Sequence, residues 1–303
     1  MDFEKDKHPQ GVRENPSSLS ERLTAVCLAA EELVNSFGAE AAARDAGEAV
    51  QAKPPTGLCD VGCDHALVPI MLLKRGIIKT AVGLDVNAGP LERAKENMRT
   101  YGISEQALAL RLSNGLERLN EGEAQIVVIA GMGGLLIREL LEQRDVRALG
   151  VSALVLSPHT KQRELREYLR TNGFYIRAEK EVCDDGKFYP IISVLVEPIR
   201  ENIAQRSAGH ATDGTAASVI GEIQSVTSCT RETALRVCDS FGPLLLKMRD
   251  EVLHTYLLKR EKELRTVLGH VAASTGASKK TETALEDVVT ALQFVEGGLH
   301  ALQ

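Results

Sequence analysis

The chain has 303 residues, 44% hydrophobic but only 4% aromatic and without Trp, which allows one large or two smaller domains around an aliphatic core. A formal charge of −6 excludes a globally basic nucleic-acid binder, so any grip on a polyanion has to come from a local Lys/Arg patch. No apolar run approaches a membrane span, Met1-Asp-Phe-Glu-Lys5 has no apolar signal core, and Cys27, Cys59, Cys63, Cys183, Cys229 and Cys238 form no CxxC pair; together these point to a cytoplasmic protein with buried, reduced thiols, and to no membrane partner.

Met1 to Pro16 reads as polar and loose. Ser18 or Ser20 caps a helix over Glu21–Asn35, followed by an Ala- and Gly-rich stretch, Gly38–Pro55, that reads as a solvated connector or as part-helical. From Thr56 to Pro198 strands and helices alternate, the pattern of a parallel sheet covered on both faces. Strands are predicted over 56–61, 80–85, 107–112, 125–130, 151–156, 174–182 and 188–196. Helices are predicted over 66–75, 89–101, 134–143 and 161–172, with Gly76, Gly102 and Gly173 at C-caps. Asp184-Asp-Gly-Lys187 is too short for a parallel crossover, so the last two strands form an antiparallel hairpin. Five parallel strands closed by such a hairpin are the pattern of an α/β class I (Rossmann-like) methyltransferase with a seven-stranded sheet. Beyond it, Arg200–Thr227 reads as a linker or weak helix, Pro243–Leu268 as one long helix, Ala273–Lys280 as a turn and Thr283–Leu299 as a second helix; the two helices pair as an antiparallel, coiled-coil-like hairpin. The expected units are residues 1–55 (N-terminal helix and connector), 56–200 (methyltransferase core), 201–240 (linker) and 241–303 (helical hairpin).

In open α/β sheets, ligands bind at the carboxyl ends of the strands, next to the switch in strand order. Three strand ends carry suitable chemistry: Asp60-Val-Gly62-Cys-Asp64-His65, Asp85 with Val86 beside it, and Ala130-Gly131-Met132-Gly133-Gly134. The first loop holds carboxylates instead of a phosphate cradle. Carboxylates repel a pyrophosphate but suit the ammonium, ribose hydroxyls and sulfonium of S-adenosyl-L-methionine, which argues for that cofactor over NAD. Taken alone, such a loop also fits a calcium site or an ordinary strand-end turn. His65 with its acidic and thiol neighbours suggests a metal ligand, but five such residues on one turn seldom converge on one ion, so no metal is expected. Asn114-Gly115 offers an amide to an adenine edge, or is a simple turn pair. Ser157-Pro158-His159 ends the fifth strand on the presumed acceptor side, unless Pro158 merely stops the strand; Tyr189 on the hairpin reads as core.

This ordered series resembles the bacterial tRNA (adenine(22)-N1)-methyltransferases, the TrmK family. The similarity runs from Leu19-Ser-Glu-Arg-Leu23 through Asp60–His65 with Pro69, Gly89-Pro90, Asn114-Gly-Leu116, Val128–Gly134, Arg163–Arg166 and Asp184-Asp-Gly-Lys-Phe-Tyr189 to Phe241-Gly-Pro-Leu-Leu-Leu-Lys247. The family commonly has Glu where Asp85 stands and often Gln-Pro-Asn in place of Ser157-Pro158-His159. The resemblance implies methylation of adenine N1 in tRNA; a monomer is expected, with the oligomeric state not fixed by the sequence. The cofactor residues it implies are Asp60, Gly62, Asp64, His65, Asp85, Val86, Asn114, Gly115, Gly131 and Gly133, and the catalytic set Asp64, His65, Met132, Ser157, Pro158 and His159. Local positive charge for RNA lies at Lys161, Arg163, Arg166 and Arg170 beside the rim and at Lys259, Arg260 and Lys262 on the long helix, where a solvated helix face is the alternative. Competing functions are a methyltransferase for another RNA or a small molecule, and a non-catalytic RNA-binding protein.

Overall fold

The computed structural model describes residues 19–45, 57–196, 218–225, 229–273 and 279–302. The expected loose N-terminus, the end of the connector, most of the linker and the turn between the last two helices lie outside them. Strands β1 (Gly57–Val61), β2 (Thr80–Asp85), β3 (Leu108–Leu112), β4 (Ile126–Met132) and β5 (Ala153–Pro158) are parallel. β6 (Phe174–Asp184) and β7 (Lys187–Val196) complete one seven-stranded sheet of order β3-β2-β1-β4-β5-β7-β6. β1 and β5 are buried at every residue, as expected of parallel strands covered on both faces. Asp185 and Gly186 turn the β6–β7 hairpin with φ of 49° and 70°, the pair of positive values that a tight antiparallel turn requires. β5 runs two residues further than expected, so Ser157 and Pro158 are strand residues, paired with Ala130 and Met132.

The strand order reverses between β1 and β4, which sets a crevice at their carboxyl ends. Alternate residues of the strands feed two apolar layers. One lies under α1 (Glu21–Asp45), α2 (Leu67–Lys74) and α3 (Ala88–Tyr101), joining Val26, Leu33, Ile70, Leu72 and Met98 to Leu58, Val128 and Val155. The other lies under α4 (Gly134–Gln143) and α5 (Gln162–Thr171), joining Ile137, Leu141, Leu165 and Leu169 to Val127, Leu154 and Ile192. α1 runs ten residues past the predicted end at Asn35 and takes up the start of the connector. The segment Gly38–Asp45 has four Ala and one Gly, so strong helix propensity outweighs a single glycine.

A third apolar cluster joins α6 (218–225), α7 (Arg231–Phe241), α8 (Pro243–Met248), α9 (Glu251–Ala273) and α10 (Lys279–Ala301) through Val219, Ile223, Val237, Leu245, Leu257, Leu292 and Val295. The stretch expected as a linker therefore contributes two helices to this cluster. The long helix expected from Pro243 is two helices. Arg249 breaks it in the left-handed region at φ 53°, and the Asp250 carboxylate caps α9 by accepting from the Leu253 amide at 2.8 Å. α9 and α10 pack on each other as a hairpin, with Arg265 and Glu296 paired at 2.9 Å.

The cluster is tied to the sheet by buried charge. The Arg166 side chain, 2% exposed, pairs its Nε with Glu179 Oε1 at 2.7 Å and donates Nη1 to the Asp239 and Ser240 carbonyls at 3.2 and 3.1 Å. Glu179 Oε2 accepts from the Leu244 amide at 3.1 Å, and Arg170 meets Asp239 at 2.8 Å. Gly242 (φ 91°) admits this approach, because a Cβ there would stand 2.8 Å from both Glu179 oxygens. Arg166 is thus corrected from RNA contact to core, and Arg170 is engaged with α7. Among the described residues no helix is long and apolar enough to cross a membrane.

Candidate active site

The loop after β1 folds back onto β2: the Gly62 and Cys63 amides donate to the Leu84 carbonyl at 2.8 and 3.0 Å. This brings the acidic strand ends together. Asp85 is buried and accepts from the Asp64 amide through Oδ2 at 3.3 Å and from the Asn87 amide through Oδ1 at 2.9 Å. Two amides use half of a carboxylate's acceptor sites, leaving capacity for hydroxyl donors. Asp60, one strand over, is also buried; desolvation first, and the Asp85 charge second, push its carboxyl up to about 7. The thiols nearby are buried. Burial first, and Asp60 next, push Cys27 up to about 12, and the same two causes lead for Cys63, which is also raised.

Asp64 is left-handed at φ 43°, and its half-exposed carboxylate turns to α3, meeting Arg93 Nη2 at 2.7 Å and His65 Nε2 at 3.6 Å. The His65 carbonyl accepts from Asn97 Nδ2 of the same helix at 2.8 Å. Both residues, expected to be catalytic, are thereby held against α3, at the end of β1. Val86 is 63% exposed directly after Asp85, an apolar surface open to a flat ligand. Asn114 is exposed at the end of β3 with Nδ2 on Glu117 Oε1 at 3.1 Å, and Gly115 is bare because a Cβ would strike Leu140.

On the other side, Gly131 (φ 83°) carries the register shift between Ala130 and Met132 that turns the β4 end. Met132 lays its Cε against Gly62, linking the β1 and β4 loops, and its carbonyl accepts from the His159 amide at 2.8 Å. Gly133 and Gly134 open α4, and Gly134 is packed on the Lys161 backbone. Ser157 is wholly buried, and among the described residues its Oγ has no partner. His159 is exposed at the rim, where Arg22 Nη1 of α1 lies 2.6 Å from its Nε2 and the Tyr189 ring of β7 sits 5.2 Å away. Arg22 also lies over Tyr189, 5.2 Å from the ring centroid, and its amide donates to Asp184 Oδ2 at 3.4 Å.

Arg22 and Tyr189 are the site residues that sequence reasoning missed. Tyr189, expected in the core, is half-buried at the rim. A signal was present in the Leu19–Leu23 and Asp184–Tyr189 motifs, but neither announces that they meet.

A methyltransferase-domain family model matches residues 48–192. The tRNA (adenine(22)-N(1))-methyltransferase of Bacillus subtilis is 30% identical over 135 residues, 45% of this chain and 56% of that protein. The crystal structure of the B. subtilis m1A22 tRNA methyltransferase TrmK superposes with a TM-score of 0.66 at 20% identity, covering 93% of this chain and 99% of that one. The chain is similar to the TrmK proteins in sequence over its methyltransferase core and in fold. A further similar structure, Streptococcus pneumoniae Sp1610 in complex with S-adenosyl-L-methionine, has a TM-score of 0.64 at 25% identity and covers 93% of this chain and 100% of the other. The TrmK likeness thus extends over the core and the C-terminal helices in structure, whereas in sequence the chain spans just over half of the curated Bacillus relative.

Proposed function

We propose that this protein transfers a methyl group from S-adenosyl-L-methionine to N1 of an adenine in tRNA, at position 22. The observation that carries the reading is the donor set of the crevice. Asp60 and Asp85 are buried on neighbouring strands, where desolvation first and the Asp85 charge second raise the Asp60 carboxyl to about 7, with Asp64 on the adjoining turn and, among the described residues, no dense amide cradle for phosphate. A ligand carrying positive charge relieves that crowding, and one carrying a pyrophosphate would aggravate it. The residues thus fit this cofactor: Asp85 would take the ribose hydroxyls, Asp60 and the Gly62 turn the amino-acid end, and Val86 the adenine face.

When bound, the cofactor supplies an electrophilic methyl that the in-plane lone pair of adenine N1 takes without loss of a proton. The reaction calls for neither a general base nor a metal, so the protein's part is alignment and exclusion of water. Met132, bridging the β1 and β4 loops, and Pro158 close the space between cofactor side and acceptor side. N1 lies on the pairing edge, so the adenine has to leave its stack to reach the rim. RNA contact is assigned to Lys161 and Arg163 at the start of α5 and to Arg260 and Lys262 on α9. Lys259 is partly committed, donating to the Gly186 carbonyl at 3.3 Å and lying over the Phe188 ring. A cytoplasmic location follows from the substrate.

The test is methylation of total tRNA with labelled donor, followed by mapping of the modified nucleotide. Label at N1 of adenine 22, lost from a transcript with guanine there, is the expected result. Label only on small molecules, or none on RNA, refutes the proposal.

A further inference from the structure

The acceptor rim holds a contact that fixes a proton. A guanidinium has only donors, so Arg22 Nη1 at 2.6 Å requires His159 Nε2 to accept, which leaves the imidazole neutral with its proton on Nδ1. Tyr189 holds both partners. The imidazole is tilted 59° to its ring at 5.2 Å, and the guanidinium lies over the same ring at 5.2 Å. The backbone places this shelf against the turn of β4, since a Cβ on Gly131 would lie 3.4 Å from Arg22 Nη1 and 3.9 Å from His159 Nε2. Two residues back, at the end of β5, the buried Ser157 hydroxyl has no partner among the described residues.

We propose that Arg22 and Tyr189 hold His159 as the Nδ1-protonated neutral imidazole, so that it presents one hydrogen-bond donor to a ring nitrogen of the target base other than the nitrogen that receives the methyl group. The inference rests on the adenine reading above. Adenine has three ring-nitrogen acceptors within reach of a donor, N1, N3 and N7. A donor on N1 would occupy the lone pair that reacts, so the contact has to fall on N3 or N7. Arg22 and Tyr189 are therefore positioning residues, and His159 is the group that touches the base.

The charge state follows from the neighbours. Arg22 faces His159 from α1, Lys187 and Tyr189 stand on β7, and Asp184 of β6 holds the Arg22 amide; β4 and α5 bring Gly131 and Gln162, which do not titrate. Partial desolvation beneath its neighbours first, then Arg22 and Lys187, hold the imidazole below its ordinary value. Protonation places hydrogens on both sides of the Arg22–His159 contact and opens the shelf.

The experiment reads the full chain twice. Nitrogen NMR of His159 between pH 5 and 8, without RNA, gives its tautomer and titration midpoint in the wild type and in Arg22→Gln. The pH dependence of kcat/KM for tRNA is measured for the same proteins and for His159→Phe and His159→Asn, with cofactor affinity from calorimetry as the control for folding. The Nδ1–H tautomer is expected in the wild type. Arg22→Gln should move both the midpoint and the acid limb of kcat/KM upward. His159→Phe should lower kcat/KM by about tenfold or more, the worth of one good hydrogen bond, with the amide donor of His159→Asn restoring part of it. An Nε2–H tautomer, an unmoved midpoint in Arg22→Gln, or a full rate in His159→Phe would each overturn the inference. A wild type with the Nδ1–H tautomer that methylates no tRNA refutes the substrate reading instead, because the titration is read without RNA.

Discussion

Replacing Arg166 by Ala tests whether this cation belongs to the fold or to the RNA. The side chain is 2% exposed and its partner Glu179 is fully covered, so solvent screens neither. Removal leaves the Asp239 and Ser240 carbonyls without their guanidinium donor, and leaves Glu179 held by the Leu244 amide. Breaking a buried pair from one side costs about 3–5 kcal/mol, because the remaining charge stays desolvated. The loss should appear in urea unfolding as a lower midpoint. It should fall on the contact between α5 and α7, so that limited proteolysis cuts the C-terminal helices first. The double variant Arg166→Met with Glu179→Leu should recover much of the loss, since it leaves no orphaned carboxylate. A protein of unchanged stability that has lost tRNA affinity would refute the argument and return Arg166 to the RNA interface.

Three other outcomes follow from the site. Asp60 has its folded value raised to about 7 from 3.8, so the folded state binds the extra proton between those values and stability falls as pH rises through that window. Asp60→Asn should flatten that dependence in thermal unfolding, and should abolish the rise in cofactor affinity that calorimetry is expected to show from pH 6 to pH 8; a wild-type affinity independent of pH would remove Asp60 from the site. Asp85→Ala should weaken cofactor binding by about 1.5–3 kcal/mol through loss of charge-assisted bonds, and unchanged affinity in calorimetry would place the ribose elsewhere. Arg260→Glu with Lys262→Glu should leave cofactor affinity intact while lowering the salt slope of tRNA binding by about 2; an identical slope would make these residues a solvated face.

Much of the core was legible because its signals are local. The glycine-bearing turns after β1 and β4, the Asp closing β2, and a four-residue link too short for a parallel crossover each state their geometry within a few residues of chain. The order of those elements was enough for a parallel sheet with a closing hairpin and an acidic crevice. The break at Arg249 was hidden by an apolar stripe that continues across it, although Asp250 three residues before Leu253 is a capping pattern. The C-terminal extent of α1 was hidden by Gly38, which propensity alone does not make decisive.

Tertiary structure alone decided what the charged residues do. Arg163, Arg166 and Arg170 share one short basic helix in sequence, yet α7, packed on α5 from some seventy residues away, buries the second and engages the third. Periodicity shows that side chains share a face of a helix; whether that face meets water or another element depends on chain that is distant in sequence. The same reason explains Arg22, His159 and Tyr189. They come from α1, the end of β5 and β7, and no local pattern relates them. The sheet order brings the three strand ends and α1 to one rim, and it is there that an ordinary histidine acquires a defined tautomer.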